Sequence, residues 1–131
     1  MDTRTKILGW PEAEQVLGRR RDDAPLTVVT GYFDPLLAGH ARRLAEIART
    51  GNTVAVVLAS PPRPLLAARA RAELVAALAA VRYVILPPDE GAEAVLQALH
   101  ADRVVREESS DARRAGDLIR HVRERHAASR A

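Results

Sequence analysis

The chain contains no cysteine. Disulfides, thiolate nucleophiles and thiolate metal sites are therefore excluded, and the redox compartment is left open. Lysine is almost absent: Lys6 is the only one, so nearly all of the positive charge is arginine. Aromatic residues make up 3% of the chain. The core must then be built from Val, Leu, Ile and Ala, and the stacking platforms of single-strand nucleic-acid binders are missing. No apolar run reaches the about 18 residues that a membrane span needs. The start, MDTRTKILGW, lacks the apolar segment of a signal peptide. The expectation is a cytoplasmic protein with no membrane partner. Neither Gly-X-Gly-X-X-Gly nor a Gly-Lys-Ser/Thr sequence occurs, which leaves the common dinucleotide and P-loop phosphate sites without support.

What is present fits one globular domain. A length of 131 residues supports a single core but hardly two. With 47% apolar and 28% charged residues, the composition is that of an ordinary soluble domain, and the net charge of +3 is small against so many charges. Arginine suits bidentate phosphate recognition, although an excess of Arg and Ala together also follows from a high-GC genome. We expect one domain over 1–131: an N-terminal helix and lead-in over 1–25, an α/β core over 26–125, and a frayed tail over 126–131.

Hydrophobic patterning supplies the elements. Met1 to Lys6 reads as a loose lead-in. Glu12 and Glu14 favour the positive end of a short helix behind Pro11, which ends by Gly18 or the Arg19-Arg20-Arg21 run; Asp22 to Pro25 is a turn. Leu26 to Thr30 and Thr53 to Leu58 are apolar and β-branched without polar alternation, as in strands buried on both faces of a parallel sheet. Ala67 to Ala80 reads as a helix with Leu74, Ala77, Leu78 and Val81 inward. Tyr83 to Leu86 is a third strand. Asp89 caps a helix with Ala92, Val95, Leu96 and Leu99 inward. Arg103 to Arg106 is a fourth strand, Glu107 to Gly116 a loop or interrupted helix start, and Leu118 to about Arg125 a last helix. Strands alternating with helices imply right-handed crossovers and a Rossmann-like three-layer α/β sandwich with a parallel sheet. In such sheets ligands sit beyond the carboxyl ends of the strands.

The most informative stretch is Thr27 to Leu44, TVVTGYFDPLLAGHARRL. It reads as strand, loop and helix. Gly31 allows a sharp turn after the strand, and Gly39 leaves room at the helix entrance. A helix N-terminus carries free N–H groups and partial positive charge, so it can hold a phosphate, with His40 at the same place. This stretch resembles the opening motif of the cytidylyltransferase-like nucleotidyltransferases: an apolar strand, Gly-X-Phe-Asp, two apolar residues, His-X-Gly-His, then a helix. Gly31, Phe33, Asp34, Gly39 and His40 match. Arg63-Pro64, Arg71-Ala72-Glu73-Leu74, Val81-Arg82-Tyr83-Val84 and Leu118-Ile119 are similar to later segments. The layout is most similar to the adenylyltransferase domain of bifunctional heptose-phosphate kinase/adenylyltransferases.

The resemblance implies transfer of a nucleoside monophosphate from ATP or CTP to a small phosphorylated acceptor such as a sugar phosphate, with Mg²⁺ and release of pyrophosphate. It implies that His40 is catalytic, donating to the triphosphate. It places Thr30, Gly31, Tyr32, Phe33, Gly39 and Arg71 at the nucleotide, and Arg63, Arg113 and Arg114 as phosphate contacts. Asp34 is expected to fix the loop by hydrogen bonds rather than touch metal. A homodimer fits the family.

Four positions depart from the family pattern. Leu37 occupies the place of the first histidine. Arg114-Ala115-Gly116 stands near a Ser-Thr-Thr-like segment. Arg82 replaces an aspartate, and the lysine after the second strand is absent. These departures make a catalytically degenerate nucleotide or sugar-phosphate binder the alternative. A nucleic-acid module is a third reading, from the arginines of the last segment. Asp111, Asp117 and Glu124 interleave with those arginines and weaken it. His100, His121 and His126 share no metal-ligand spacing with carboxylates, and no protein metal site is expected. Asp22-Asp23 and Glu107-Glu108 read as surface charge.

Overall fold

The computed structural model describes residues 2–20 and 24–130; of residues 111, 112, 114, 115 and 128–130 the backbone alone is described. Arg21, Asp22 and Asp23 lie outside the described residues, and with them much of the expected turn and one acidic pair.

The strands are β1 (Ile7–Leu8), β2 (Leu26–Gly31), β3 (Thr53–Leu58), β4 (Tyr83–Ile85) and β5 (Arg103–Arg106). The helices are α1 (Glu12–Gly18), α2 (Ala38–Ala48), α3 (Ala68–Ala76), α4 (Ala92–Leu99) and α5 (Glu108–Arg130). The sheet is parallel throughout, in the order β1-β4-β3-β2-β5. β2 and β3 pair over their whole length, from Leu26 opposite Thr53 to Gly31 opposite Leu58. Every residue of both is buried, as the unbroken apolar runs require.

Successive side chains point to opposite faces, so the two strands feed two cores. Val29, Val54 and Val56 pack with Leu44 and Ile47 of α2 and Ala72 and Val75 of α3. Val28, Ala55 and Val57 pack with Ala13 and Leu17 of α1 and Val95 and Leu96 of α4. The result is the three-layer Rossmann-like α/β sandwich.

Several elements differ from the sequence reading. Ile7–Leu8, between the expected lead-in and the first helix and given no element there, is the edge strand beside β4. Two residues are too short to show a period. The Lys6 ammonium secures this edge by donating to Leu78 O and Val81 O at 3.1 and 2.8 Å. Burial, and secondarily the charge of Arg82, holds its pKa below the ordinary lysine value. α4 starts at Ala92 behind Gly91 (φ 93°), not at an Asp89 cap. α5 begins at Glu108 and runs through Gly116 to Arg130, where an interrupted start and a frayed tail were expected.

The inner face of α3 is also rotated. Arg71, Ala72, Val75 and Ala76 are buried, while Leu74 is 44% exposed and Ala77 is exposed. The buried arginine displaces the expected stripe, because its polar head finds partners inside. Val75→Ala is therefore expected to lower stability by about 2 kcal/mol and Leu74→Ala by less than about 1 kcal/mol. Urea denaturation of both variants checks this; the reverse order would restore the face expected from the sequence.

Candidate functional site

β2, β3 and β4 all end on the same side of the sheet, and the segments that follow them build the site. Gly31 is still part of β2. The turn expected there comes two residues later: Phe33 adopts φ 46°, and the Asp34–Pro35 peptide is cis. Phe33 is buried and its ring lies 5.1 Å from that of His40, tilted by 58°.

α2 starts at Ala38, so Gly39 and His40 form its first turn. His40 is 2% exposed. Its Nδ1 accepts the Leu37 N–H at 2.9 Å. A ring nitrogen that accepts carries no proton, so the neutral imidazole bears its hydrogen on Nε2 and that nitrogen is a donor. Leu37 occupies the N-cap position and supplies no side-chain cap hydrogen bond.

Asp34 fixes the loops, as expected. Its carboxylate accepts the Leu65 N–H at 2.6 Å and the Leu66 N–H at 2.7 Å. Arg71, on α3, is 3% exposed. Its Nε donates to Leu66 O, and its Nη1 donates to Tyr32 O and Ala59 O, at 3.2, 3.0 and 3.0 Å. The guanidinium placed at the nucleotide by the sequence reading is thus engaged with three backbone carbonyls. Thr30 is buried in β2, and its Oγ1 has no hydrogen-bond partner among the described residues. A buried hydroxyl in that state is a natural place for a water or a ligand atom.

A cavity of about 630 Å³ opens beside these segments. Tyr32, Ser60 and Arg71 line one side, and Pro87, Gly91 and Glu93 another. Tyr32 and Arg71 are the sequence-selected residues that reach it. Thr30, Gly31, Phe33, Gly39 and His40 form the adjoining strand, loop and helix without lining it. Arg63 is exposed on the β3–α3 loop and Arg113 is exposed on α5, and neither lines the cavity. The Arg114 side chain lies outside the described residues. Glu93 at the rim receives both Nε and Nη2 of Arg106 at 3.2 Å, and this contact raises the Arg106 pKa.

Glu107 was read as surface charge and is not. Its side chain is 10% exposed and accepts Arg43 Nε at 2.9 Å, tying α2 to the β5–α5 junction. Its N–H reaches Thr30 O at 2.8 Å. Two adjacent acids carry no sequence signal for which one turns inward. Among the described residues, no group of three or more His, Asp or Glu side chains could hold a metal ion.

Comparison with known proteins agrees with this geometry. The family model for Cytidylyltransferase-like proteins matches residues 28–127. The chain belongs to that family. It is also 35% identical over 127 residues to the Bifunctional protein HldE of Magnetococcus marinus, covering 88% of this chain. The aligned part is 26% of that protein, so the chain spans about a quarter of the relative's length. The family read from Thr27 to Leu44 is borne out.

The Arg43–Glu107 contact joins two elements of the site and is testable alone. Glu107→Ala is expected to cost about 1.5–3 kcal/mol, the range for a hydrogen bond to a charged group. Glu108→Ala, next in sequence and more exposed, is expected to stay within about 0.5 kcal/mol. Chemical denaturation distinguishes them; equal losses would mean that Glu107 acts as ordinary surface charge.

Proposed function

We propose that the chain is a nucleotidyltransferase acting on a small phosphorylated acceptor, a sugar phosphate in the first instance. An acceptor phosphate oxygen forms a bond to the α-phosphorus of ATP or CTP, the bond to the pyrophosphate oxygen breaks, and pyrophosphate leaves. No covalent enzyme intermediate is needed. The protein's task is to place two anions together and to stabilise the charge that develops at phosphorus.

The observation that carries this reading is the first turn of α2 in a family member. There the helix N-terminus favours an anion, and His40 is fixed by the Leu37 N–H as an Nε2 donor. Thr30 Oγ1, buried without a hydrogen-bond partner among the described residues, adds a polar group at the end of β2. Mg²⁺ suits the reading as an ion that travels with the triphosphate oxygens, since such ions usually take few protein ligands. The described residues fit that role better than a dedicated protein cage.

Leu37 favours a second reading, a relative that binds nucleotide or sugar phosphate without useful turnover. Leucine cannot donate a hydrogen bond. Loss of one transition-state donor costs about 2.7–4 kcal/mol, or roughly 10²–10³ in rate. On this ground Leu37→His is expected to raise pyrophosphate release by up to about 10²-fold. If that variant binds nucleotide and turnover does not rise, the missing histidine is not the limiting defect.

The deciding experiment is calorimetric titration of ATP and of CTP with Mg²⁺, on the native chain and on His40→Ala checked for folding. Binding of one nucleotide, weakened about tenfold or more in the variant, supports the site. Binding of neither, by a folded native chain, removes the transferase reading.

A further inference from the structure

We propose that Arg71 is a positioning residue of the candidate site, not a nucleotide ligand, and that it works with Asp34 by gripping the Leu66 backbone on both sides of its Cα. The Leu66 N–H is held by the Asp34 carboxylate and the Leu66 C=O by the Arg71 guanidinium. An anion thus sits at the N–H of the peptide group before the Leu66 Cα and a cation at the C=O of the peptide group after it. Both charged residues are buried. Buried charge is tolerated where hydrogen bonds satisfy it, and here backbone groups supply them.

The clamp reaches both loops. Through Nη1, Arg71 also holds Tyr32 O and Ala59 O, the first carbonyls beyond β2 and β3. The Tyr32–Phe33 peptide is trans. Fixing its carbonyl therefore fixes the opposite direction of the Phe33 N–H. Phe33 itself, at φ 46°, holds a conformation uncommon for a bulky residue, which persists only where neighbours enforce it.

The β3–α3 loop has little else to hold it. Ser60 and residues 62–65 are exposed, Leu65 at 56%. A segment with few buried apolar contacts opens locally unless polar contacts restrain it. Ser60 of this loop lines the cavity together with Tyr32 and Arg71. The clamp therefore sets the shape of that wall.

The consequence for ligand binding rests on the nucleotide reading above; the structural half does not. The test uses the full chain, with Arg71→Lys and Asp34→Asn. Lysine keeps the positive charge but offers one compact ammonium, which cannot reproduce a guanidinium spread over three carbonyls. Amide exchange at Leu65 and Leu66 is expected to quicken about tenfold or more in both variants, the size of a lost hydrogen bond to a charged group. ATP or CTP binding with Mg²⁺ should weaken in parallel, while exchange in β2 and β3 stays slow. Because both residues act on the backbone of Leu66, the double variant should exchange less than the product of the two single effects.

Arg71→Lys with native nucleotide affinity overturns the proposal. So does weakened affinity with unchanged exchange at Leu65 and Leu66, which would make Arg71 a direct contact. If Arg71→Lys does not fold, Asp34→Asn decides: unchanged exchange at Leu65 and Leu66 overturns the clamp, and faster exchange there supports it. If the native chain binds neither nucleotide, the functional reading falls, and the clamp stands or falls on exchange alone.

Discussion

The register of β2 against β3 governs the rest of this molecule. The two strands pair residue for residue and end together, Gly31 opposite Leu58. The Ala59 N–H adds one further bond to Gly31 O. Tyr32 and Ala59 therefore leave the sheet side by side, and their carbonyls come within reach of the same guanidinium nitrogen. Because both strands are buried on both faces, neither has room for charge along its length. Charged and hydrogen-bonding side chains are displaced to the strand ends and the loops beyond them. The location of the site follows from burying a parallel sheet between two helical layers.

Helix α2 adds the second constraint. Leu44 and Ile47 anchor one of its faces in the core formed by Val29, Val54 and Val56. His40 stands one turn before Leu44, so the same packing carries its ring inward against Phe33. At the other side, Arg43 reaches Glu107 and ties the helix to the start of α5. The N-terminus of α2 is thus held by a core face, by a ring contact and by an ion pair, each from a different part of the chain. A site that must orient two anions needs its donors fixed before the ligands arrive.

The fold was legible in the sequence because its strongest signals are long and one-sided. Five- and six-residue apolar, β-branched runs and the glycine loop before an apolar helical stripe admit few other arrangements. What the sequence hid was decided by single partners across the fold. Arg71 reads as a nucleotide contact until Tyr32 O, Ala59 O and Leu66 O are seen around it. Its burial turned the face of α3 away from Leu74 and toward Val75. Glu107 and Glu108 are chemically identical neighbours, and only the position of Arg43 separates them. The turn was assigned to Gly31 because glycine is the residue that tolerates positive φ. The chain places that conformation at Phe33 instead, beside a carbonyl that Arg71 holds. Of the candidate site, the strand–loop–helix frame was visible; the contacts that set its shape were not.

The departure at Leu37 bears unequally on binding and on turnover. The group at this position that fixes His40 is the backbone N–H, not the side chain. A leucine and a histidine at 37 present the same N–H, so the His40 tautomer survives the change. The N–H groups of the first turn of α2 also belong to the backbone and do not depend on the side chain at residue 37. What leucine removes is one side-chain donor, and a donor matters most where charge accumulates in the transition state. Ground-state anion binding draws on the parts that remain. On the proposed reading, a chain altered in this way would keep the machinery for holding a nucleotide while losing rate, so affinity and turnover must be measured separately to separate an active enzyme from a binding relative.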